Sequence, residues 1–200
     1  MKFLLSALML AALPAVAATA VVGQPAPAFS VSDASGKAVS LADFKGKTVV
    51  LEWVNPGCPY VRKHYDSANM QATQKGAVDK GVVWLAVNST AQGHSDYKKP
   101  ADMAAWMQSQ KASATHTLMD SDGKIGKAYG ARTTPHMYVV DAKGVLAYAG
   151  GIDDKPSSDP ADVKTAKNYV NAALGDLLAG KPVAQATTRP YGCSVKYSDG

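Results

Sequence analysis

The stretch Lys47-Thr48-Val49-Val50-Leu51-Glu52-Trp53-Val54-Asn55-Pro56-Gly57-Cys58-Pro59 decides how this chain is read. Thr48 to Val54 is nearly continuous in β-branched and apolar side chains, the pattern of a strand covered on both faces. It stops at Asn55-Pro56-Gly57, residues that turn a chain. After Cys58-Pro59 the period changes. Val61, Tyr65, Ala68 and Ala72 recur at helical spacing, and Pro59 suits a first helical turn, where no N–H partner is lost. Cys58 therefore stands where a buried strand gives way to a helix, the end of the strand at which α/β folds collect their chemistry. Unpaired amides and the helix dipole favour a thiolate there.

Outward from this corner the signals alternate. Gly81 to Asn88 is a second continuous strand, followed by a long polar connection, Ser89 to Pro100, and a helix over Ala101 to Lys111. His116 to Asp120 is a short strand. Lys124 to Tyr129 is a brief helix that Gly130 ends. Met137 to Asp141 and Val145 to Tyr148 flank Ala142-Lys143-Gly144 as a hairpin. Upstream, Asp33-Ala34-Ser35-Gly36 marks a turn in an edge element over Val21 to Ser40. Asp159 as N-cap, Pro160 at the first position and a stripe of Val163, Ala166, Val170, Ala173, Leu174 and Leu177 predict a closing helix up to Gly180. Two strand–helix units followed by a hairpin and a helix predict an α/β fold: a central mixed β-sheet with helices on both faces.

At 200 residues, with 46% apolar and 18% charged side chains, the chain is long enough for one well-filled domain. The excess of 21 Lys and Arg over 16 Asp and Glu is spread among acids without a basic block, so nucleic acid is not an expected partner. Met1-Lys2, the apolar run Phe3 to Ala12, and Ala15-Val16-Ala17 or Ala18-Thr19-Ala20 form a secretory leader over 1–20, cleaved after 17 or 20. Pro14 ends that run short of the roughly 20 residues of a spanning helix, so no stable membrane insertion is expected. The reading is a periplasmic or secreted protein with a domain over 21–182 and an aperiodic tail over 183–200. In an oxidising compartment its two cysteines, Cys58 and Cys193, can cycle or stay bridged. The tail from Gly180 to Cys193 spans some 40 Å when extended, enough to cross the domain.

The strand Thr48 to Val54, the Asn55-Pro56-Gly57-Cys58-Pro59 corner, Thr134-Pro135 before Met137 to Asp141, and the Lys143-Gly144 hairpin resemble the thioredoxin fold. With Gly23-Gln24-Pro25-Ala26-Pro27 and Leu41 to Lys47, the chain is most similar to the redoxins, the alkyl-hydroperoxide-reductase-like and peroxiredoxin-like proteins, over Gly23 to Gly180. The resemblance implies a thioredoxin-like sandwich and a thiol oxidoreductase with Cys58 as nucleophile. It makes Pro135 the cis-proline that faces this cysteine, with Thr134, Pro56 and Gly57 around the substrate, and Glu52 a buried acid that handles protons. It implies a peroxide or disulfide substrate, a reducing thiol partner, and no metal or cofactor.

Neither catalytic kit of the family is complete. The second thioredoxin cysteine is replaced by Val61; the peroxiredoxin Thr and Pro positions hold Asn55 and Leu51; and the nearest candidate for its arginine is Arg132. Cys193 is the candidate for the missing thiol. Glu52 reads equally as a strand acid paired with Lys47. Arg62, Lys63 and His64 read as a solvated helix face, with lowering of the thiol pKa as the alternative. His94, His116 and His136 lack metal-ligand spacing. Three functions stay open at this point: an enzyme in which Cys58 attacks and Cys193 resolves, a one-thiol enzyme reduced from outside, and a binding module that uses the Cys58–Pro135 groove without turnover.

Overall fold

The computed structural model describes residues 19–198, so the leader read over 1–20 lies outside the described residues except for Thr19 and Ala20. The elements are β1 (Ser30–Ser32), β2 (Ala38–Ser40), a 3-10 turn (Leu41–Phe44), β3 (Val49–Trp53), α1 (Pro59–Asp66), α2 (Asn69–Val78), β4 (Val83–Asn88), α3 (Pro100–Ser109), β5 (His116–Met119), α4 (Lys124–Tyr129), β6 (Thr133–Thr134), β7 (His136–Val140), β8 (Leu146–Gly150), a 3-10 turn (Pro160–Lys164), α5 (Tyr169–Leu178) and β9 (Cys193–Ser194). Five strands form the central sheet in the order β5-β4-β3-β7-β8. β3 pairs in parallel with β4, and β4 with β5, while β7 and β8 run antiparallel. This is the mixed sheet expected from the strand–helix order.

The continuous apolar runs are explained by two cores. Val50 and Val54 from the β3 segment, Trp84 and Ala86 from β4, and Met137 and Val139 from β7 face a layer built by α1, α2, α3 and α5. Val49, Leu51 and Trp53, with Val83, Leu85, Val87, Tyr138 and Val140, face the other side, where α4 supplies Ile125 and Tyr129 and the 3-10 turn supplies Leu41 and Phe44. All five β3 residues are buried. Each fully buried Val or Leu contributes about 1.5–3 kcal/mol over its exposed state, so the layered burial of β3 and β4 fixes both register and face.

Two expectations are corrected. The helix after Cys58 is two helices, because Ala68 adopts φ +61° and starts α2. The closing helix over Asp159 to Gly180 is also divided. Asp159 caps only the 3-10 turn, through its bond from the Ala161 N–H, and α5 starts afresh at Asn168, whose side chain accepts from the Asn171 N–H. The backbone at 168 is tied to Asp153 by an isolated bridge, and Tyr169 N–H donates to Ile152 O at 2.9 Å, which a continuous helix would forbid. The 183–200 segment, read as an aperiodic tail, is docked as far as it is described: Ala149 N–H donates to Ala186 O, Val195 N–H to Arg132 O and Ala91 N–H to Lys196 O.

The Asp33 turn seats the β1–β2 hairpin against β5. Asp33 Oδ1 accepts from the Ser35 N–H and hydroxyl and from the Lys37 N–H, and its Oδ2 lies 2.8 Å from His116 Nδ1. Burial opposes ionisation here, but the bonds from Ser35, His116 and the two amides outweigh it and hold the carboxyl at about 2. A depressed acid stabilises the fold fully above its ordinary value of 3.8 and ceases to do so as the pH falls through about 2. Asp33→Asn should therefore lower the urea midpoint at neutral pH, with the gap to wild type closing between about pH 4 and pH 2; a gap that stays constant over that interval contradicts the assignment.

Candidate functional site

Beyond β3 the chain turns on Asn55. Its Oδ1 accepts from the Gly57 N–H at 2.8 Å, its Nδ2 donates to Asp96 Oδ2 at 3.0 Å, and its carbonyl accepts from the Cys58 N–H at 3.0 Å. Cys58 is the N-cap of α1, yet its side chain caps nothing. Instead Sγ donates to the Thr134 carbonyl at 3.0 Å. Cys58 is only 1% exposed. The C-terminal segment brings Tyr191 and Cys193 against the same core cluster.

Thr134 joins the two cysteines. It precedes the cis peptide to Pro135, and in β6 it pairs antiparallel with Cys193 of β9. Directly paired residues of an antiparallel ladder project to the same side, so the Thr134 and Cys193 side chains are neighbours. The Thr134 hydroxyl is buried and has no hydrogen-bond partner. Gly192 lets the tail approach this closely: at φ +133°, any Cβ on it would collide with the Thr134 carbonyl. Both cysteines are free thiols. Burial, then the hydrogen bond and charge of Cys58, push the Cys193 thiol well up, while the N–H of Tyr60 acts in the opposite direction. Pro59 has no N–H, so Tyr60 carries the first free amide of α1.

Glu52 is fully buried on the α-helical side of β3, and Lys47, its proposed partner, is exposed. Its Oε1 accepts from the Tyr65 hydroxyl at 2.9 Å, and its Oε2 from Trp84 Nε1 at 2.8 Å and Gln74 Nε2 at 3.0 Å. Burial raises its pKa against the opposing effect of those three donors. Neither cysteine is among its hydrogen-bond partners.

Residues 22–149 match the AhpC/TSA family. The chain belongs to the AhpC/TSA family. It is similar to the thiol:disulfide interchange protein DsbE of Yersinia pestis, 27% identical over 148 residues that cover 71% of each chain. A putative peroxiredoxin bcp of Coxiella burnetii is 27% identical over 135 residues, covering 63% of this chain and 85% of that one. Among solved structures, an uncharacterized conserved protein from Geobacillus kaustophilus superposes with a TM-score of 0.79 at 26% identity, covering 90% of this chain and 94% of the other. The fold is thioredoxin-like, and the family is that of the thiol-disulfide oxidoreductases and peroxiredoxin-like redoxins.

The AhpC/TSA match ends before Asp153, Tyr191 and Cys193, so the second thiol lies outside the family segment. Within the segment, Pro56 is buried and Gly57 is exposed on the wall of a cavity of about 330 Å³ with Arg62, Asp66, Trp106 and Gln110. Arg132 is exposed, with its carbonyl bound to the tail at Val195. The reading of Arg62, Lys63 and His64 as a solvated face holds for Arg62 alone: Lys63 is 1% and His64 0% exposed. Their partners, Asp153 and Tyr191, carry no periodic signal, because they sit in loops that meet α1 only in three dimensions. Of the isolated histidines, His116 pairs with Asp33, and the His136 ring nitrogen accepts from the Arg132 N–H at 3.3 Å. Among the described residues, no three His, Cys, Asp or Glu side chains group as metal ligands, and no helix is long and apolar enough to cross a membrane.

Glu52 gives a direct test of its environment. Raised by burial above its ordinary value of 4.5, it stabilises least at high pH: its contribution is complete below about 4.5 and is lost as the pH rises through the higher folded value. A glutamine fits the same donors, its oxygen taking Trp84 and Gln74 and its amide facing the Tyr65 oxygen. Urea midpoints of Glu52→Gln relative to wild type should move in favour of the variant between about pH 4 and pH 8, and a pH-independent difference contradicts the assignment.

Proposed function

We propose that the protein is an exported thiol oxidoreductase in which Cys58 attacks a peroxide or a disulfide and Cys193 resolves the product. The observation that carries this reading is that Thr134, beside cis-Pro135, meets both free thiols: its carbonyl accepts from Cys58, and its strand position pairs with Cys193. Leader residues 1–20 carry the export reading, through the secretory pattern they present.

With a hydroperoxide, the Cys58 sulfur bonds to one peroxide oxygen, the O–O bond breaks, and the other oxygen leaves as alcohol or water after taking a proton; Cys58 becomes a sulfenic acid. The Cys193 sulfur then attacks the Cys58 sulfur, the S–O bond breaks, and water leaves with the Cys193 proton. With a disulfide substrate, Cys58 forms a mixed disulfide and expels one thiol, and Cys193 expels the other. Either route leaves a Cys58–Cys193 disulfide, which a dithiol partner reduces by two electrons. Burial, and after it the hydrogen bond and charge of Cys58, hold the Cys193 thiol well above its ordinary value, which suits it to the second step.

Thr134 is the substrate-side residue of this scheme, because its buried hydroxyl is unpartnered next to Cys193 while its carbonyl holds Cys58. Pro56 and Gly57 form the corner, with Gly57 on the cavity wall. Glu52 acts through the fold, since its partners Tyr65, Gln74 and Trp84 are core groups beneath α1.

Intact mass with thiol labelling, before and after one equivalent of hydroperoxide, tests the scheme. Wild type should lose two labelled thiols together and two mass units. Cys58→Ser should abolish turnover with either oxidant. Cys193→Ser should keep the first oxidation and stop there, as a sulfenic acid or its overoxidised forms; normal cycling of that variant removes Cys193 from the mechanism. Protein recovered from an exporting host should begin at Ala18 or Val21, and a retained Met1 contradicts the export reading.

A further inference from the structure

β9 and its partner β6 are each two residues long, which is too little pairing to hold a resolving thiol in register. A second anchorage lies two residues upstream of Cys193. The Tyr191 hydroxyl donates to Asp153 Oδ1 and lies 3.2 Å from His64 Nε2. Asn69 Nδ2, which can only donate, lies 2.9 Å from His64 Nδ1. Burial, with the charge of Lys63, holds the His64 pKa down at about 3, so the ring is neutral and its one hydrogen is on Nε2. The bonds then run in one direction, from Asn69 to His64, from His64 to the Tyr191 oxygen, and from Tyr191 to Asp153. Burial and the Asp153 bond keep the Tyr191 proton in place.

Lys63 completes the cluster. Its Nζ donates to the Lys155 carbonyl at 2.7 Å, stands 3.9 Å from Asp153 Oδ2, and lies 5.5 Å from the centre of the Tyr191 ring. The Lys63 and Asp153 side chains are 0% and 1% exposed. A buried ion pair of this kind gives little net stability compared with apolar packing of the same volume, so its presence points to placement of a partner rather than to stability. That partner is Tyr191. Lys63 and His64 belong to α1, the helix capped by Cys58, so the cluster references the tail to the element that holds the first thiol.

We infer that Tyr191 is a positioning residue for the resolving step, its hydroxyl clamped between His64 and Asp153 so that Cys193 faces Cys58. The inference rests on the resolving role proposed for Cys193. The step it governs is the attack of the Cys193 sulfur on the Cys58 sulfenic acid, in which the S–S bond forms, the S–O bond breaks and water departs. The initial attack of Cys58 on the hydroperoxide does not use the clamp.

Tyr191→Phe tests this, because it keeps the ring against Lys63 and Tyr60 and removes only the hydroxyl. After one equivalent of hydrogen peroxide, quenched intact-mass measurements should show Cys58 oxidised at the wild-type rate and the disulfide formed at least about tenfold more slowly, the scale expected for losing one hydrogen bond to a carboxylate. With a second equivalent of hydrogen peroxide, which supplies the further two-electron oxidation, sulfinic acid should accumulate in the variant. A wild-type rate of disulfide formation in Tyr191→Phe overturns the inference. If wild type itself forms no Cys58–Cys193 disulfide, the resolving role fails, and alkylation of Cys193 then decides placement alone: faster labelling in the variant supports the clamp, and equal labelling overturns it.

Discussion

Complete covering of β3 is the constraint on which the rest of the structure depends. With Val50, Glu52 and Val54 turned to one layer and Val49, Leu51 and Trp53 to the other, the strand cannot slip by one residue. The turn held by Asn55 then delivers Cys58 to the N-cap of α1. β7, on the opposite side of β3 from β4, brings Thr134-Pro135 to the same corner. The Cys58–Thr134 contact is thus a consequence of sheet order, and the thiol chemistry is placed by packing that contains no thiol.

The second half of the site is assembled by the C-terminal segment. Its docking depends on close backbone approach: Gly150 and Gly126 offer no Cβ to Thr188 and Tyr197, and Gly192 none to Thr134. The energy holding the segment is spread over such close contacts and over the side-chain bonds of Thr188, Tyr197 and the half-buried Tyr191. In the proposed scheme such an arm must hold Cys193 near Cys58 and still let an oxidant reach that cysteine.

Buried polar groups divide into two kinds in this protein. Glu52 has three donors, and Asp120 is fed by Ser89 and the amides of Ile125 and Gly126, so each is satisfied and stiffens its layer. The Thr134 hydroxyl, Asp153 Oδ2 and Gln71 Oε1, by contrast, have no hydrogen-bond partner among the described residues. An unpaired buried polar atom costs free energy and calls for an explanation.

The sequence by itself determined the sheet, because burial on both faces and helical periodicity are local patterns: the β3 and β4 runs, the Asp33 and Lys143-Gly144 turns and the Cys58 corner are all legible in the order of residue types. It also supplied Cys193 as a second thiol, through its presence and the length of chain leading to it. The break at Ala68 was not legible, since an alanine carries no signal for positive φ, nor was the restart of α5 at Asn168, which depends on a bridge to Asp153. Burial of Lys63 and His64 was hidden for the same reason, as charged residues beside Arg62 look alike until a distant tyrosine and aspartate cover two of the three. Only the tertiary structure decided that the aperiodic tail crosses to Thr134 and places Cys193 beside it, because that pairing joins residues with no shared periodicity and far apart in the chain.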